Sequence, residues 1–378
     1  MRARLLIALL GLLIASCGQP TARQGPTPSP SATATPTPSP TPPPTPTPLP
    51  PPPNLPRAAI GVPAGFTAYL YARGVGAVTA MAFGPDGRLY LVTVGGAIEV
   101  VGGAGGGAQI LVSGLPTPLG LAWRGNDLFV SARTSIRAYQ LSNGRLTGGS
   151  VVVRGLPVGR HQNDWILSMP NGDFLVGNGS TCDVCVEGDA RSAAVLRFHA
   201  DWSYAGVVVR GSRNPYGLAL RPSTGDAYVT INGQDNLGGQ PADALLRVVD
   251  GENAGWPNCW PAWPDGSLHG NCAGVASPVA VFAPHSSADG IAFQDGKEFG
   301  QDYADNAFVT EWGANVGGPV GRRVIRVVLT GAPGAEHGAT SDFATGFSHP
   351  LAITESPDGG LLVGDYGSGQ LIEIFRTS

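Results

Sequence analysis

The chain has 378 residues, a formal net charge of −4 and only 13% charged side chains. Without a Lys- or Arg-rich run it lacks the basic surface that holds nucleic-acid phosphates, so nucleic-acid binding is excluded. Its 56 glycines and many short apolar runs favour an all-β protein with frequent turns. About the first sixty residues lack the apolar content for a core, and the 320 or so that follow are ample for one.

The N-terminus has the pattern of a secretory signal peptide. Arg2 and Arg4 precede an apolar run from Leu5 to Ile14, which is too short for a permanent membrane span. The run ends in Ile-Ala-Ser-Cys17, which resembles the bacterial lipoprotein box, whose cysteine is lipidated and becomes the mature N-terminus. We therefore predict a lipoprotein signal peptide over residues 1–17. An ordinary signal peptide with a chance cysteine is the alternative.

Residues 18–57 are rich in Pro, Thr and Ser and carry few large apolar groups. Such a segment cannot offset its ordering entropy, and its prolines favour an extended spacer. We predict a disordered linker that holds residues 58–378 off the membrane. The protein is then exported and lipid-anchored on the periplasmic or extracellular face, and the anchor is its only membrane contact.

Four cysteines remain in the predicted domain. Cys259 and Cys272 flank a loop rich in Trp, Pro and Gly, and export makes a disulfide between them plausible. Cys182 and Cys185 form a Cys-Asp-Val-Cys motif, which is either a metal half-site or a short local disulfide. No second Cys-x-x-Cys or His pair accompanies the motif, and this favours the disulfide.

One hairpin pattern recurs from about residue 58 onward. Each copy is an apolar strand, a glycine-containing turn such as Pro-Asp-Gly, and a second apolar strand. The copies are MAFGPDGRLYLV (81–92), LAWRGNDLFV (121–130), ILSMPNGDFLVG (166–177), LALRPSTGDAYVT (218–230), IAFQDG (291–296) with its second strand at 306–309, and ITESPDGGLLVGD (353–365). Such repetition predicts a six-bladed β-propeller. A large β-sandwich is the alternative, but it does not predict one hairpin recurring six times.

Four repeats carry a basic side chain ten to twelve residues before the turn glycine: His161, Arg213, His285 and His349. Equivalent positions in a propeller form a ring around its axis, so we expect these side chains at the mouth of the central channel. A ring of His and Arg without an acidic cluster suits a planar anionic ligand. A neutral histidine there can accept a hydroxyl proton.

Several segments resemble the glucose/sorbosone dehydrogenase family. They are GSTCDVCVE (179–187), RNPYGL (213–218), NGQDNLG (232–238), GWPNC (255–259), HSSADG (285–290) and SPDGGLLVGDY (356–366). The resemblance covers nearly all of residues 60–376 and is weakest in the first two repeats. It implies a six-bladed propeller that uses pyrroloquinoline quinone (PQQ) and Ca²⁺ to oxidise a sugar, with an electron acceptor that the sequence does not identify.

The resemblance also implies roles for individual residues. His161 matches the general base, and Arg213 matches the arginine that contacts the quinone oxygens. Asn214 matches a neighbouring cofactor contact, and the carbonyls of Gly233 and Gln234 match the backbone ligands of the calcium ion. Where relatives commonly have proline this chain has Gln234, which leaves carbonyl ligation possible. His285 is a further cofactor contact through its place in the ring.

Two segments depart from the family pattern. His349-Pro350 stands where relatives have Arg-Pro, and EWGAN (311–315) stands where they have His-Gly-Ser-Trp-Asn. Losing a permanent positive charge weakens recognition of a tricarboxylate by about 1–3 kcal/mol per charge-assisted bond. Arg322 and Arg323 are the candidates to compensate, and Arg322 is the one we assign to the cofactor.

Three functions therefore compete. The first is PQQ- and calcium-dependent oxidation of an aldose or related alcohol. The second is a non-catalytic propeller that binds a ligand or a protein through a decayed cofactor site, which His349 and Glu311 favour. The third is a calcium-dependent lactonase-like propeller, in which Asp289, Glu311 and Asn163 would converge on one metal; that scheme leaves Arg213 without a role.

Overall fold

The computed structural model describes residues 54–314, 320–332, 334–357 and 359–377. Every regular element in these residues is a β-strand, which confirms the all-β prediction. No helix in the described part of the chain is long and apolar enough to cross a membrane. The predicted signal peptide, Cys17 and residues 18–53 of the predicted linker lie outside the described residues, and the lipid anchor remains a prediction.

The described residues form six sheets of four or five strands and one separate two-stranded hairpin. The strands, in chain order, are β1 (Phe66–Arg73), β2 (Val78–Phe83), β3 (Leu89–Thr93), β4 (Ala97–Val101), β5 (Ala108–Val112), β6 (Gly120–Arg124), β7 (Asp127–Ala132), β8 (Ser135–Ser142), β9 (Arg145–Arg154), β10 (Asn163–Ser168), β11 (Phe174–Asn178), β12 (Ala194–Phe198), β13 (Tyr204–Arg210), β14 (Asn214–Leu220), β15 (Ala227–Asn232), β16 (Asp243–Arg247), β17 (Glu252–Asn253), β18 (Cys259–Pro261), β19 (Leu268–Gly270), β20 (Ala280–Phe282), β21 (Ala288–Phe293), β22 (Ala307–Glu311), β23 (Arg323–Thr330), β24 (His337–Thr345), β25 (Pro350–Glu355), β26 (Leu361–Asp365) and β27 (Gln370–Arg376).

Each sheet is one blade of a six-bladed propeller, as the repeat predicts. Strands β2–β5, β6–β9 and β10–β13 form the first three blades, and β17 adds in parallel to the edge of the third. The fourth blade contains β14–β16 and β20, the fifth β21–β24, and the sixth β25–β27 with β1. The first strands β2, β6, β10, β14, β21 and β25 contact one another in sequence and line the central channel. The six predicted hairpins are the two inner strands of the six blades.

The N-terminal strand closes the propeller. Strand β1 pairs antiparallel with β27, so the first and last strands of the domain share the sixth blade. Sequence reasoning missed β1 because it lies outside the recurring hairpin. Just before it, the carbonyl of Pro56 accepts a hydrogen bond from the N–H of Leu70, and Arg57 forms a bridge with Tyr69. The chain therefore contacts the propeller already at Pro56, slightly before the predicted boundary at residue 58.

Neighbouring blades meet along the innermost strands, and a short sequence pattern permits the close approach. The second strand of each blade contains a fully buried valine followed by Thr, Ser or Gly. The hydroxyls of Ser131, Thr230 and Thr310 donate to carbonyls on the first strand of the next blade. At Gly177 an added Cβ would lie 2.0 Å from the carbonyl oxygen of Pro215, so only glycine fits there.

The apolar core is divided among several clusters, most of which lie between neighbouring blades. Between the second and third blades, Phe129, Phe174 and Trp202 pack together, with the Phe174 and Trp202 rings stacked 4.0 Å apart. Similar clusters lie between the fourth and fifth, the fifth and sixth, and the sixth and first blades, and a further cluster joins the first four blades with Leu351 of the sixth. Each blade is therefore buried by its two neighbours, since one sheet alone cannot cover its faces.

The fourth blade contains an insertion between β16 and β20. This insertion includes β17 and the β18–β19 hairpin, and the predicted disulfide between Cys259 and Cys272 lies within it and closes the segment around that hairpin. It covers an apolar pocket that Trp256 and Trp260 line together with Arg213 and Gly233. The tryptophans therefore pack the insertion against the blade, and the pocket they line borders two residues of the predicted site.

We expect Gly177→Ala to destabilise the fold by about 1–3 kcal/mol or more, because the Pro215 carbonyl is backbone and cannot turn aside. Gly107→Ala is the matched control, since nothing lies within 4 Å of a Cβ added there. Thermal and urea unfolding of the two variants measure the difference. Equal stability of the two would show that the blades separate easily at this contact.

Candidate active site at the mouth of the central channel

The four basic residues of the predicted ring all precede a channel-lining strand. Arg213 and His349 stand immediately before β14 and β25, while His161 and His285 lie two and three residues before β10 and β21. Because the innermost strands run in the same direction around the channel, these residues lie at one end of it. The structure thus places the ring where the repeat register predicts.

One carboxylate connects three blades at this mouth. The Asp235 carboxylate forms ion pairs with Arg160 and, at 3.1 Å, with Arg213. Its other oxygen lies 3.4 Å from Nδ1 of His285. A second carboxylate, Asp183, accepts a 2.7 Å hydrogen bond from Arg213 and a 3.0 Å bond from the backbone N–H of Asp235.

The expectation of a ring without acidic residues is therefore wrong. Asp183 and Asp235 are part of it, and with Arg160 and Arg213 they bring its formal charge close to zero. The sequence contained a signal for both, since each lies inside a segment that resembles the family, next to Cys182 and Gln234. Secondary-structure propensity and residue spacing do not assign a role to either aspartate. The fold brings the two carboxylates, from separate blades, into contact with the guanidinium of Arg213.

Arg213 is fixed in the wall of the channel. Its side chain is only 4% exposed, and its backbone adopts φ 37°, a left-handed conformation that turns the chain into β14. Both carboxylate contacts use Nη2, and its buried Nε has no hydrogen-bond partner among the described residues. Two carboxylates thus compensate the charge of the guanidinium, and its Nε keeps an unused capacity to donate a hydrogen bond.

Asn214 lies beside His161 on the floor of the site. Its Nδ2 donates to Oδ1 of Asn232 at 2.7 Å, while its buried Oδ1 has no partner among the described residues. A Cβ added at Gly179 would lie 2.4 Å from Cβ of His161 and 2.6 Å from Oδ1 of Asn214. The glycine therefore lets the base and the amide approach each other.

His161 is held as a neutral imidazole. Burial, followed by the positive charges of Arg213 and Arg160, lowers the pKa of His161 to about 3, and the carboxylates of Asp235 and Asp183 only partly oppose the shift. Its Nδ1 lies 2.9 Å from the Ser180 hydroxyl. Its Nε2 forms no hydrogen bond with the described residues. A neutral ring with a free nitrogen is the form that a general base requires.

His349 belongs to a neighbouring group rather than to the Asp235 network. Its ring stacks on Trp312 with centroids 4.1 Å apart, and its Nδ1 donates to the Trp312 carbonyl at 2.9 Å. The backbone N–H of Trp312 donates to the carbonyl of Ser287, in the loop that carries His285. The two segments that depart from the family pattern therefore meet, and they offer a stacked aromatic surface in place of a fixed cation.

Glu311 and the two candidate arginines divide into separate roles. Burial raises the pKa of Glu311, although its ion pair with Arg323 at 2.6 Å opposes the shift. Arg323 also pairs with Asp342, so it is already engaged. Arg322 is exposed, has φ 58°, and forms no ion pair within the described residues. Of the two, Arg322 is the one free to meet an anion at the mouth.

Backbone carbonyls suited to a hard cation lie next to Asp235. The carbonyl oxygens of Gly233 and Gln234 accept no hydrogen bond from the described residues, although Gln234 is buried. The buried carboxylate of Asp243 accepts from the N–H groups of Gly233 and Ala288, which fixes the segment. Burial raises the pKa of Asp243 to about 6 despite these bonds. Free carbonyls beside a carboxylate are the ligand chemistry that Ca²⁺ uses.

The ligand set of the lactonase-like alternative is wrong. Asn163 uses its amide to join the second blade, donating to Ser131 and Ala132 and accepting from the N–H of Thr134. Glu311 is paired with Arg323, and Asp289 accepts from Ser287. Within the described residues, the groups of three potential ligands lie elsewhere, at Cys182–Cys185–Glu187 and Asp295–Glu298–Glu355. The first group is not a metal site because its two cysteines form the predicted local disulfide.

Comparison with known proteins confirms the resemblance read from the motifs. Residues 197–373 match the family model described as Glucose / Sorbosone dehydrogenase. This segment contains Arg213, Asn214, Gly233, Gln234 and His285. A search of curated protein sequences found no significant match.

Solved structures show the same fold at low sequence identity. The holo form of the pyranose dehydrogenase PQQ domain from Coprinopsis cinerea has a TM-score of 0.74 and 18% identity, and the match covers 86% of this chain and 99% of that one. The calcium structure of a Trichoderma reesei enzyme of family AA12 has a TM-score of 0.73 and 18% identity, and the match covers 85% of this chain and 98% of that one. The PQQ-bound aldose sugar dehydrogenase from Streptomyces coelicolor has a TM-score of 0.64 and 20% identity, and the match covers 83% of this chain and 99% of that one.

The neutral state of His161 predicts a pH dependence of stability. Because its pKa is lowered to about 3, the unfolded chain binds a proton below pH 6.5 that the folded chain does not. Its contribution to stability is therefore present above pH 6.5 and is lost as the pH falls, by at most about 1.4 kcal/mol per pH unit. Urea unfolding should show that the free energy of unfolding falls less between pH 7 and pH 4 in His161→Asn than in the wild type.

The variant His199→Gln is the control for the removal of a histidine outside the site, since its side chain is 58% exposed. An unchanged slope in His161→Asn would show that the imidazole titrates normally in the folded protein.

Proposed function

We propose that this relative of the glucose/sorbosone dehydrogenases oxidises an aldose or a related alcohol with PQQ and Ca²⁺, and passes the electrons to an acceptor still to be identified. The observation that carries the proposal is the pairing at the channel mouth of a neutral histidine, His161, with the buried guanidinium of Arg213. The printed names of the structural relatives, which include PQQ-bound and calcium-containing sugar enzymes, support the same chemistry.

The residues present fit both groups. The carbonyls of Gly233 and Gln234 accept no hydrogen bond from the described residues and are free to hold Ca²⁺. The Nε of Arg213 and the Oδ1 of Asn214 are buried without hydrogen-bond partners there, which is the unused capacity that a bound polar group would satisfy. We assign His285, His349 and Arg322 to the rim of the cofactor pocket. When bound, the quinone of PQQ supplies a hydride acceptor, and Ca²⁺ increases its electron deficiency.

The protein's own contribution is to bind, orient and remove a proton. Nε2 of His161 accepts the proton of the substrate hydroxyl, because it is the ring nitrogen without a partner. Arg213 stabilises negative charge that develops beside it, and it is held in place by Asp183 and Asp235. The apolar pocket under the fourth-blade insertion adjoins Arg213 and Gly233 on one side of the site.

The charge balance at the mouth makes the two ligands interdependent. Arg160 and Arg213 are opposed by Asp183 and Asp235, so the mouth offers little net attraction to a tricarboxylate. A divalent cation at Gly233 and Gln234 adds two positive charges next to Asp235. We therefore expect tight PQQ binding only when Ca²⁺ is present.

Reconstitution of the full chain with PQQ and Ca²⁺ should give dye reduction with at least one aldose in a panel of sugars. His161→Ala should lose about 10²- to 10⁴-fold in kcat while it still binds PQQ, because only the proton acceptor is removed. The exposed variant His199→Ala is the control and should keep full activity. Undiminished turnover in His161→Ala would disprove the base assignment.

Calcium dependence is measured separately, by titrating PQQ into the protein in EGTA and in excess Ca²⁺. We expect binding to tighten at least about 100-fold with Ca²⁺. Asp235→Asn removes one negative charge from the mouth and should improve binding in EGTA about tenfold, which corresponds to roughly 1.4 kcal/mol. Asp250→Asn, which removes an exposed ion pair with Arg197, should leave the PQQ affinity unchanged both in EGTA and in excess Ca²⁺. Equal affinity with and without Ca²⁺ would contradict the charge argument.

One observation favours the second candidate function, a binding propeller with a decayed cofactor site. Arg213 is already paired with two carboxylates, and His349 stacks on Trp312 where the family pattern has an arginine. If calorimetry detects sugar or protein binding but no PQQ uptake at saturating Ca²⁺, this second function replaces the first.

A further inference from the structure

A hydrogen-bond chain runs from the proposed base into the Cys182–Cys185 loop. Nδ1 of His161 lies 2.9 Å from Oγ of Ser180, and the same Oγ donates to the carbonyl of Cys182 at 2.6 Å. Ser180 is fully buried, so water does not compete for its hydroxyl. The three groups therefore form one continuous chain between the site and the disulfide.

Counting protons along this chain fixes the state of the imidazole. A serine hydroxyl has one proton, and a carbonyl oxygen can only accept. Since the Ser180 proton is directed at Cys182, its oxygen must accept from His161, and Nδ1 must carry the proton. The lone pair of the neutral ring is then on Nε2. The reverse arrangement would deprive the Cys182 carbonyl of its donor.

The loop that supplies this carbonyl is held at several points. The disulfide between Cys182 and Cys185 closes it after three residues. Thr181 is bound through its N–H and hydroxyl to the carboxylate of Glu187, at 2.7 and 2.6 Å. Nε1 of Trp256 donates to the carbonyl of Asp183 at 3.0 Å.

The same loop also positions the guanidinium. The side chain of Asp183 accepts from Nη2 of Arg213, and the backbone N–H of Ser180 donates to the Arg213 carbonyl at 2.6 Å. Both residues that the proposed reaction needs are therefore attached to residues 180–183. A rigid segment that orients two reacting groups acts through geometry rather than through contact with the substrate.

We propose that Ser180 is a positioning residue, which with the Cys182 carbonyl holds His161 in the Nδ1–H tautomer and directs its Nε2 lone pair toward the substrate. The tautomer follows from the hydrogen bonds alone, whereas its effect on catalysis rests on the proposed function. Ser180 itself does not touch the reacting atoms.

The first arm of the test needs neither cofactor nor activity. Long-range ¹H–¹⁵N correlation spectra of the full chain with ¹⁵N-labelled histidine, recorded at pH 7, report which ring nitrogen is protonated. The spectrum of His161→Asn identifies the signals of His161. We expect a protonated Nδ1 in the wild type and in Ser180→Thr, which keeps the hydroxyl, and a mixture of both tautomers in Ser180→Ala.

The second arm measures steady-state kinetics of the same proteins loaded with PQQ and Ca²⁺. Ser180→Ala should lower kcat about 10- to 100-fold with little change in KM, because the ring loses its fixed orientation as well as the tautomer that can accept the proton. Ser180→Thr should recover most of the rate. Ser212→Ala is the matched control, since it removes an equally buried hydroxyl that has no partner among the described residues.

The two arms separate the possible failures. A protonated Nε2 in the wild type, or an unchanged tautomer and kcat in Ser180→Ala, would overturn the role of Ser180. A tautomer that shifts as expected in a protein that oxidises no sugar would retain the role of Ser180 in orienting the ring and would count against the proposed function instead.

Discussion

The close contact between one blade's second strand and the next blade's first strand governs the arrangement of this molecule. At each contact a buried valine is followed by a hydroxyl residue or a glycine, and a larger side chain would push the blades apart. The hydroxyls of Thr230 and Thr310 donate to carbonyls on the adjoining strands. Since the strands that line the channel also begin at its mouth, these contacts fix the spacing of the residues there.

The chemistry at the mouth depends on that spacing because a buried guanidinium needs compensating charge. Arg213 is nearly inaccessible, and an unpaired cation at such a position would be costly. Asp183 from the third blade and Asp235 from the fourth supply the compensation. Burial, together with the positive charges of Arg213 and Arg160, lowers the pKa of His161 and keeps the ring neutral, which is the state a base needs. Burial at the mouth therefore makes the arginine depend on its carboxylates and leaves the histidine uncharged.

The fold was predictable because hairpin turns and alternating apolar strands are local signals that recur six times. The ring of His161, Arg213, His285 and His349 followed from the register of those repeats. The roles of Asp183 and Asp235 were not predictable: both lie in segments that resemble the family, but nothing in either segment shows that the two carboxylates meet at one guanidinium. The closing strand β1 was missed for a related reason. Its partner β27 lies at the other end of the described chain, so no hairpin turn connects the two strands and predicts their pairing.

That pairing has a consequence for biosynthesis. Phe66 of β1 is matched with Arg376 of β27, a separation of 376 − 66 = 310 residues. At about 5–20 residues per second, a ribosome needs roughly 15–60 seconds to make the intervening chain. For that time β1 has no partner, and its unpaired edge is open to other strands. The propeller can close only after β27 has been synthesised, because the last strand to be made completes the blade that contains the first strand, β1.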